Sequence, residues 1–416
     1  MKQLLKDIIA DQKLFLKNRK TIVRYFPKSF LQGEEIIVIS GVRRCGKSVL
    51  LQQIRDNFSK NDYFFNFDDD RLSSFNVDNF QQLYEIFVEL YGEQDTFFFD
   101  EIQNIDGWEH FVKRLYNSGK KVFVTGSNAK MLSRELGTLL TGCHLTYELF
   151  PFSFHEYARY NKQEAILANV AGTISKGKTL ALFSNYLKDG GFPMYLKSKE
   201  TIILKTLYDN ILYKDVLVRN QITNEKEVKE LVFYLVSNIG KPCSYTSLTK
   251  VIGVKNPTTV KSYLDFIENT YLLFVLNCYD ESVKTQLRNP KKVYFIDNAM
   301  VRHLGFHFSN EAGRLLENLV FLELRKRGGD IFYYSDNTGE CDFVTRNGAK
   351  IDKAIQVCYA MESPDTKERE IKGLLNAMEH FDLQEGLIIT NDQDEEIHKS
   401  SRLIKVKAAW KWLLNK

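Results

Sequence analysis

The segment from Gly41 to Ser48 has the residue types that bind phosphate groups. Its sequence, GVRRCGKS, matches the pattern G-x-x-x-x-G-K-[ST]. Glycines let a backbone wrap closely around phosphates, and successive N–H groups with the following helix N-terminus stabilise negative charge. In this pattern the lysine reaches the β- and γ-phosphates, and the final hydroxyl binds Mg²⁺. The sequence therefore predicts an ATP site formed by Gly41, Val42, Arg43, Arg44, Cys45, Gly46, Lys47, Ser48 and Val49.

Two acids end an apolar segment further along the chain. In TFFFDE, Asp100 and Glu101 follow four apolar or small residues, which is the pattern of a buried strand. Buried parallel strands deliver their terminal side chains to the sheet edge where phosphates bind. We expect Asp100 to hold the Mg²⁺ shell and Glu101 to polarise the attacking water. The alternative is a surface acid pair at the start of a loop.

A third apolar segment ends in TGSN, residues 125–128. A polar side chain there can contact the γ-phosphate or the water, so Asn128 or Ser127 is the candidate for this role. The alternative is an ordinary turn, for which Gly, Ser and Asn are common residues. Phosphoryl transfer often needs an added arginine against transition-state charge. The sequence does not choose among three candidates, which are Arg43, Arg44 and Arg134.

The elements that position these residues follow from the apolar pattern. Strand-like and helix-like segments alternate from residue 36 to residue 126, which indicates a parallel sheet covered on both faces. Residues 1–30 resemble a charged amphipathic helix, and residues 161–225 are helical without strand alternation. From residue 311 helices and strands form a second α/β unit.

Residues 244–275 contain the pattern of a helix-turn-helix. Ser244 suits the N-cap of a helix that ends near Gly253, and Pro257 lies just inside a second helix that Asn256 can cap. Polar and basic residues at the start of that second helix suit contacts with a DNA groove, and they are Lys255, Thr258, Thr259, Lys261 and Ser262. A small protein-binding module is the alternative.

Composition excludes several classes of protein. With 416 residues, 44% hydrophobic and 26% charged, the chain suits a soluble protein of more than one domain. The net charge of +4 permits contact with nucleic acid without arguing for it. The six cysteines lack CxxC spacing, and no apolar run approaches the ~20 residues that span a bilayer. We expect a cytoplasmic protein with free thiols and no membrane partner.

Four segments together resemble the prokaryotic AAA-type ATPases whose C-terminal half is a domain of unknown function. They are VISGVRRCGKSVLL, FFFDEIQN, VFVTGSNAKML and ELFPFSFHEY. Further matching segments, KVYFIDNAM, GRLLENLVFLELRKRG and ECDFV, extend the similarity over nearly the whole chain. It implies an α/β fold with an AAA-type parallel sheet core and a helical lid, then a winged-helix module and a C-terminal α/β domain similar to restriction endonucleases. The expected boundaries are 1–160 for the ATPase core, 161–225 for the lid, 226–285 for the winged helix and 286–416 for the last domain.

The C-terminal unit resembles the PD-(D/E)xK nuclease core through Glu317, Asp342 and Gln356. In active members a helical Glu, a strand Asp and an acid-x-Lys strand converge on Mg²⁺. Here Gln356 replaces the acid and Cys358 the lysine, so a degenerate nuclease fold kept for nucleic-acid or protein contact is expected. The alternatives are that Glu317 is an ordinary exposed helix charge, or that the set is completed by Glu340 or Lys353.

One departure from the resembled family concerns an arginine. The family commonly has Gly-Arg where this chain has Gly142-Cys143, so no arginine role is carried over to that position. The leading hypothesis is Mg-dependent ATP binding and hydrolysis coupled to conformational change in modules that bind double-stranded DNA. The alternatives are a nucleotide-gated switch or scaffold acting on a protein partner, and an ATP-regulated nuclease. Because AAA-type sites often lie between subunits, analogy also allows a homo-oligomer.

Overall fold

The computed structural model describes residues 1–16, 21–58, 62–127, 140, 142–168, 172–306 and 311–415. The chain separates into two compact units. The first comprises Met1–Phe150 with Asn269–Tyr271, and the second Pro151–Glu268 with Leu272–Lys416. Among the described helices, none combines the length and the apolar character needed to cross a membrane.

The first unit is built on a parallel sheet with the strand order β2-β3-β4-β1-β5. The strands are β1 Ile36–Ser40, β2 Tyr63–Asn66, β3 Thr96–Asp100, β4 Lys121–Gly126 and β5 His144–Glu148. The helices are α1 Lys2–Leu16, α2 Lys47–Phe58, α3 Phe80–Tyr91 and α4 Trp108–Asn117. Every residue of β1 and β3 is buried, as expected for strands covered on both faces. The predicted parallel α/β core is therefore confirmed.

Two elements of this unit differ from the sequence prediction. The N-terminal helix ends at Leu16, and residues 21–27 are not helical, although the sequence predicts a helix over 1–30. The β-branched run from Thr21 to Val23 and the proline at 27 disfavour a helix there. Strand β5 is absent from the prediction because it is a half-exposed edge strand with little apolar character.

The second unit begins with helices. They are α5 Phe154–Tyr160, α6 Glu164–Ala168, α7 Thr173–Asp189, α8 Pro193–Ser198, α9 Thr201–Asn210, α10 Glu225–Ser237, α11 Tyr245–Ile252 and α12 Pro257–Glu268, with a π-helical segment Ile211–Val218. Later helices are α13 Val283–Arg288, α14 Asn298–Leu304, α15 Glu311–Arg327, α16 Pro364–His380 and α17 Ala409–Leu414. The helical reading of residues 161–225 is confirmed for the residues that the structure describes.

Two sheets complete the second unit. An antiparallel pair consists of β6 Leu273–Asn277 and β7 Lys291–Phe295. A mixed sheet has the order β12-β13-β11-β10-β9-β8. Its strands are β8 Asp330–Ser335, β9 Glu340–Asn347, β10 Lys350–Val357, β11 Glu385–Thr390, β12 Glu395–Lys399 and β13 Arg402–Ala408. The second α/β unit expected from residue 311 onward is therefore present.

Helices α11 and α12 form the expected pair. The Ser244 hydroxyl accepts a hydrogen bond from the Ser247 N–H at 3.0 Å, and Gly253, whose φ is +73°, caps the C-terminus of α11. The Asn256 side chain accepts from the N–H of Thr258 at 2.9 Å, at the start of α12. Both predicted N-caps are confirmed. Lys255, Thr258 and Lys261 are exposed, and Thr259 and Ser262 are half-buried.

Candidate nucleotide site

The loop between β1 and α2 has a backbone that requires glycine. Gly41 has φ +150° and Gly46 has φ +106°. A Cβ on Gly41 would lie 2.2 Å from the carbonyl oxygen of Leu149, and one on Gly46 would lie 2.9 Å from a guanidinium nitrogen of Arg24. Arg44 has φ +63°, which is unfavourable for a residue with a side chain. The loop is therefore strained and is packed closely from its outer side.

Lys47 is the first residue of α2, and it is buried. Its ammonium group donates to the carbonyl oxygens of Gly41 and Val42 at 3.2 and 3.3 Å. It also lies 3.5 Å from a carboxylate oxygen of Glu101. All three distances are long for charge-assisted contacts. The ammonium is thus held inside the loop by partners that a phosphate group can replace.

Asp100 lies at the end of β3 and is 1% exposed. Its Oδ1 accepts a hydrogen bond from the Thr125 hydroxyl at 2.6 Å, and its carboxyl also accepts one from the side chain of Ser48. Burial raises the pKa of Asp100 to about 6, although these two hydrogen bonds act in the opposite direction. A buried carboxylate beside a hydroxyl is a donor set that suits Mg²⁺. Asp100 and Ser48 therefore fit the ion that the sequence predicts there.

Glu101 follows Asp100 in a left-handed conformation, with φ +49°. Its N–H donates to the Thr125 hydroxyl at 2.9 Å, and the Gln103 amide donates to its Oε2 at 2.6 Å. Burial opposes its ionisation, but Lys47 and its other neighbours outweigh burial and hold the pKa of Glu101 below its usual value. The carboxylate is thus ionised and oriented, as a general base needs to be.

The other predicted residues of this site have different outcomes. Ser127 is buried at the end of β4, and its hydroxyl has no hydrogen-bond partner within the described part of the chain. Arg43 lowers the pKa of Glu101, so its charge lies near that carboxylate, whereas Arg44 is exposed. Asn128 and Arg134 lie outside the described residues. The role of an arginine in phosphoryl transfer stays a prediction, with the same three candidates.

Three side chains that hold the site were not found from the sequence. Thr125 bonds both acids, Gln103 bonds Glu101, and Arg24 contacts the loop from outside. Thr125 occupies a strand end that the pattern marks as functional, and Gln103 lies two positions after Glu101. Arg24 carries no such signal, because it lies in a segment predicted to be helical.

The fold and the glycine loop define the first unit as an AAA-type P-loop ATPase domain. Residues 33–158 match the family model of an AAA domain, and residues 180–311 and 312–409 match two domains of unknown function. The chain is 34% identical to an uncharacterized protein of Methanocaldococcus jannaschii, over 99% of this chain and 96% of that protein. It is 31% identical to an uncharacterized protein of Haemophilus influenzae, over 92% of this chain and 96% of that protein. The chain belongs to the family that these proteins represent.

A solved structure with some likeness is a Walker-type ATPase of Pyrococcus abyssi. It is 16% identical, with a TM-score of 0.42, over 70% of this chain and 99% of that chain.

In the second unit, four side chains form what we call the Lys292 cluster: Lys292, Glu317, Glu340 and Asp342. The Lys292 ammonium, 1% exposed, lies 2.8 Å from Glu340, 3.0 Å from Asp342 and 3.3 Å from Glu317. Glu317 also accepts a hydrogen bond from the hydroxyl of Tyr294 at 2.6 Å. The reading of Glu317 as an ordinary exposed helix charge is therefore wrong.

Gln356 joins this cluster through hydrogen bonds. Its Oε1 accepts from the N–H of Asp342 at 3.2 Å, and its amide donates to Glu370 at 2.6 Å. Glu317, Asp342 and Gln356 are thus brought together as predicted, beside a cavity of about 520 Å³. Among the described residues, no group of three or more His, Cys, Asp or Glu side chains is arranged to hold a metal ion.

The cation of the Lys292 cluster does not come from the strand on which the sequence analysis looked for it. Lys353 is exposed on β10. Burial raises the pKa of Cys358 to about 11, so that side chain is a neutral thiol. Lys292 comes instead from β7, which belongs to the other sheet of this unit, and the sequence pattern does not point to it.

Proposed function

We propose that the first unit binds Mg-ATP and hydrolyses it, and that nucleotide state alters DNA binding by modules of the second unit. The observation that supports hydrolysis most directly is the meeting of Lys47, Asp100 and Glu101 at the edge of the sheet beside the glycine loop. This combination supplies a cation for phosphates, a buried acid for a metal and an ionised base for water.

Each side chain has a separate task in this proposal. Lys47 exchanges its carbonyl partners for the β- and γ-phosphates, which keeps its charge compensated. Ser48 and Asp100 hold Mg²⁺, which supplies charge neutralisation on the phosphate oxygens when it is bound. Glu101 accepts a proton from the attacking water while Gln103 and Thr125 keep it oriented. Ser127 or Asn128 contacts the γ-phosphate or the water.

DNA binding is proposed for the pair of helices α11 and α12. Lys255, Thr258 and Lys261 are exposed around the start of α12, where a recognition helix contacts phosphates and base edges. The alternative is a protein partner for the same surface. A nuclease is the less favoured alternative, because Gln356 stands where a carboxylate is needed and an amide is a poorer Mg²⁺ ligand than a carboxylate.

The first test measures steady-state ATPase activity of wild type and E101Q, with and without duplex DNA at low salt. We expect wild type to hydrolyse ATP and E101Q to bind it without turnover, because an amide cannot accept the proton. The matched control is E93Q, in which an exposed acid of the same unit is changed. Unchanged turnover in E101Q would overturn the assigned base. An ATPase rate that is the same with and without DNA would favour a protein partner.

The second test concerns the DNA surface. K255A/K261A should weaken binding to a fluorescent duplex. The slope of the logarithm of affinity against the logarithm of salt concentration should also become shallower, by the equivalent of roughly one to two phosphate contacts. The control K405A changes a lysine that pairs with Glu385 on the mixed sheet. If wild type fails to bind duplex even at low salt, the DNA proposal falls.

A further inference from the structure

Arg24 occupies an unusual position for an arginine. It lies in the non-helical segment before β1, yet it is only 7% exposed. One terminal nitrogen of its guanidinium donates to the carbonyl oxygen of Cys45 in the phosphate-binding loop at 2.6 Å. The other donates to the carbonyl oxygen of Phe150, just after β5, at 2.6 Å. A single planar group therefore joins the loop to the chain beyond a neighbouring strand.

The segment that carries Arg24 is fixed from both sides. On the α2 side, the Gln53 side chain accepts from the Arg24 N–H at 2.9 Å and donates to the carbonyl of Ile22 at 2.8 Å. On the β5 side, the Tyr147 hydroxyl donates to the carbonyl of Tyr25 at 2.9 Å. Main-chain contacts on both flanks limit the positions that the Arg24 side chain can reach. The guanidinium is thus presented to the loop in a set geometry.

The loop needs such a support. Three of its residues have positive φ, including the non-glycine Arg44, and strained backbone persists only where its surroundings impose it. The guanidinium fills the side of Gly46 where a Cβ would lie, at 2.9 Å. It also supplies donors to two carbonyl groups, and a buried carbonyl without a donor is costly. Only the fork of an arginine bonds two separate acceptors in one plane.

We propose that Arg24 is a positioning residue that holds the phosphate-binding loop in its binding shape before nucleotide arrives. The expected effect on nucleotide affinity rests on the proposed ATP binding. The support of the loop by Arg24, which we call the clamp, is a property of the protein without nucleotide. Arg24 acts through the Cys45 carbonyl and the backbone of Gly46. Its removal should let the loop sample other shapes, and only a fraction of molecules would then be ready to bind phosphates.

The first readout is amide hydrogen exchange of nucleotide-free, full-length protein in the peptide covering residues 41–48. We expect faster exchange there in R24A, with the β3 peptide unchanged. R24K keeps the charge but lacks the fork, so it should restore protection only in part. The control R55Q removes another α2-associated arginine, whose partner is Asp62 at 2.6 Å, and should leave the loop as in wild type.

The second readout is the equilibrium affinity for a fluorescent ATP analogue with Mg²⁺. R24A should raise the apparent Kd by about tenfold or more, because the apparent Kd rises as the fraction of molecules with the loop in its binding shape falls. Wild-type exchange in the R24A loop, or full restoration by R24K, would overturn the clamp. Faster exchange with unchanged affinity would overturn its role in binding. If wild type binds no analogue, the ATP proposal fails, while the exchange data still decide the clamp.

If R24A does not fold, R24K against wild type carries the test. Its loop should exchange faster than that of wild type, although its charge is intact. An R24K loop that is protected as in wild type would contradict the proposal.

Discussion

Both units contain a buried lysine among carboxylates, but the two lysines are held differently. Lys47 has two carbonyl partners and one acid, all at 3.2 to 3.5 Å. Lys292 has three acids between 2.8 and 3.3 Å. The first arrangement leaves a cation that can change partners, and the second satisfies its cation fully. The number and distance of partners thus separate a lysine suited to a ligand from one suited to structure.

The backbones that carry the two lysines reinforce this difference. Lys47 begins a helix after a strained glycine loop, whose shape is held from outside by contacts such as that of Arg24 with Cys45. Lys292 lies on a strand whose residues are all buried. The acids differ as well, since the pKa of Glu101 is held below its usual value whereas burial raises the pKa of Glu317 to about 7. The same residue types therefore have different chemistry in the two units.

The largest effect should come from removing the cation of the cluster. K292M leaves three acids together without a positive charge, so the free energy of unfolding of the second unit should fall by about 3–5 kcal/mol. Urea titration followed by tryptophan fluorescence measures it, since Trp410 and Trp412 lie in α17. The control K291M removes the neighbouring lysine, whose ammonium donates to the carbonyl oxygen of Gln286 at 2.6 Å, and it should cost much less. Equal losses in both variants would contradict the comparison.

The opposite pattern is expected in the first unit. K47M should reduce ATP turnover roughly 100-fold or more, because the cation of the loop is lost, while the free energy of unfolding changes little. Steady-state ATPase assays and urea titration on the same samples measure both quantities. A K47M protein that unfolds as readily as K292M would show that Lys47 is also structural.

The pH dependence of stability sharpens the contrast. Burial raises the pKa of Glu317 from its usual value to about 7, so its contribution to stability is present at low pH and is lost as the pH rises through 7. E317Q does not titrate at this position. The stability of wild type relative to E317Q should therefore fall by on the order of 2 kcal/mol between about pH 5 and pH 8. If urea titrations gave a constant difference in the free energy of unfolding between wild type and E317Q across this pH range, the raised pKa of Glu317 would be refuted.

A smaller effect is expected at Thr125, which links the two acids of the nucleotide site. T125V removes the hydroxyl that donates to Asp100 and accepts from the Glu101 N–H, so ATP turnover should drop by about tenfold. T125S keeps the hydroxyl and should remain near wild type in the same assay. If T125V were as active as T125S, the orientation of the acids would not depend on this residue.

Much of the nucleotide site could be predicted because its residues are local in sequence. The loop from Gly41 to Ser48 is continuous, and Asp100 and Glu101 are adjacent at a strand end, so pattern alone brings them to one sheet edge. Strand β5 and the end of α1 at Leu16 were not predicted, since an edge strand and a helix end have weak patterns. Roles that involve Asn128 remain predictions.

The sequence by itself determined the α/β class, the glycine loop and the acid pair, because apolar periodicity and short motifs are encoded within a few neighbouring residues. Only the tertiary structure decided that Arg24 supports the loop and that Lys292 neutralises Glu317 and Asp342. These contacts join segments far apart in the chain, and a long flexible side chain carries no local signal of its partner. Its role therefore depends on which acceptors the fold brings within hydrogen-bonding distance.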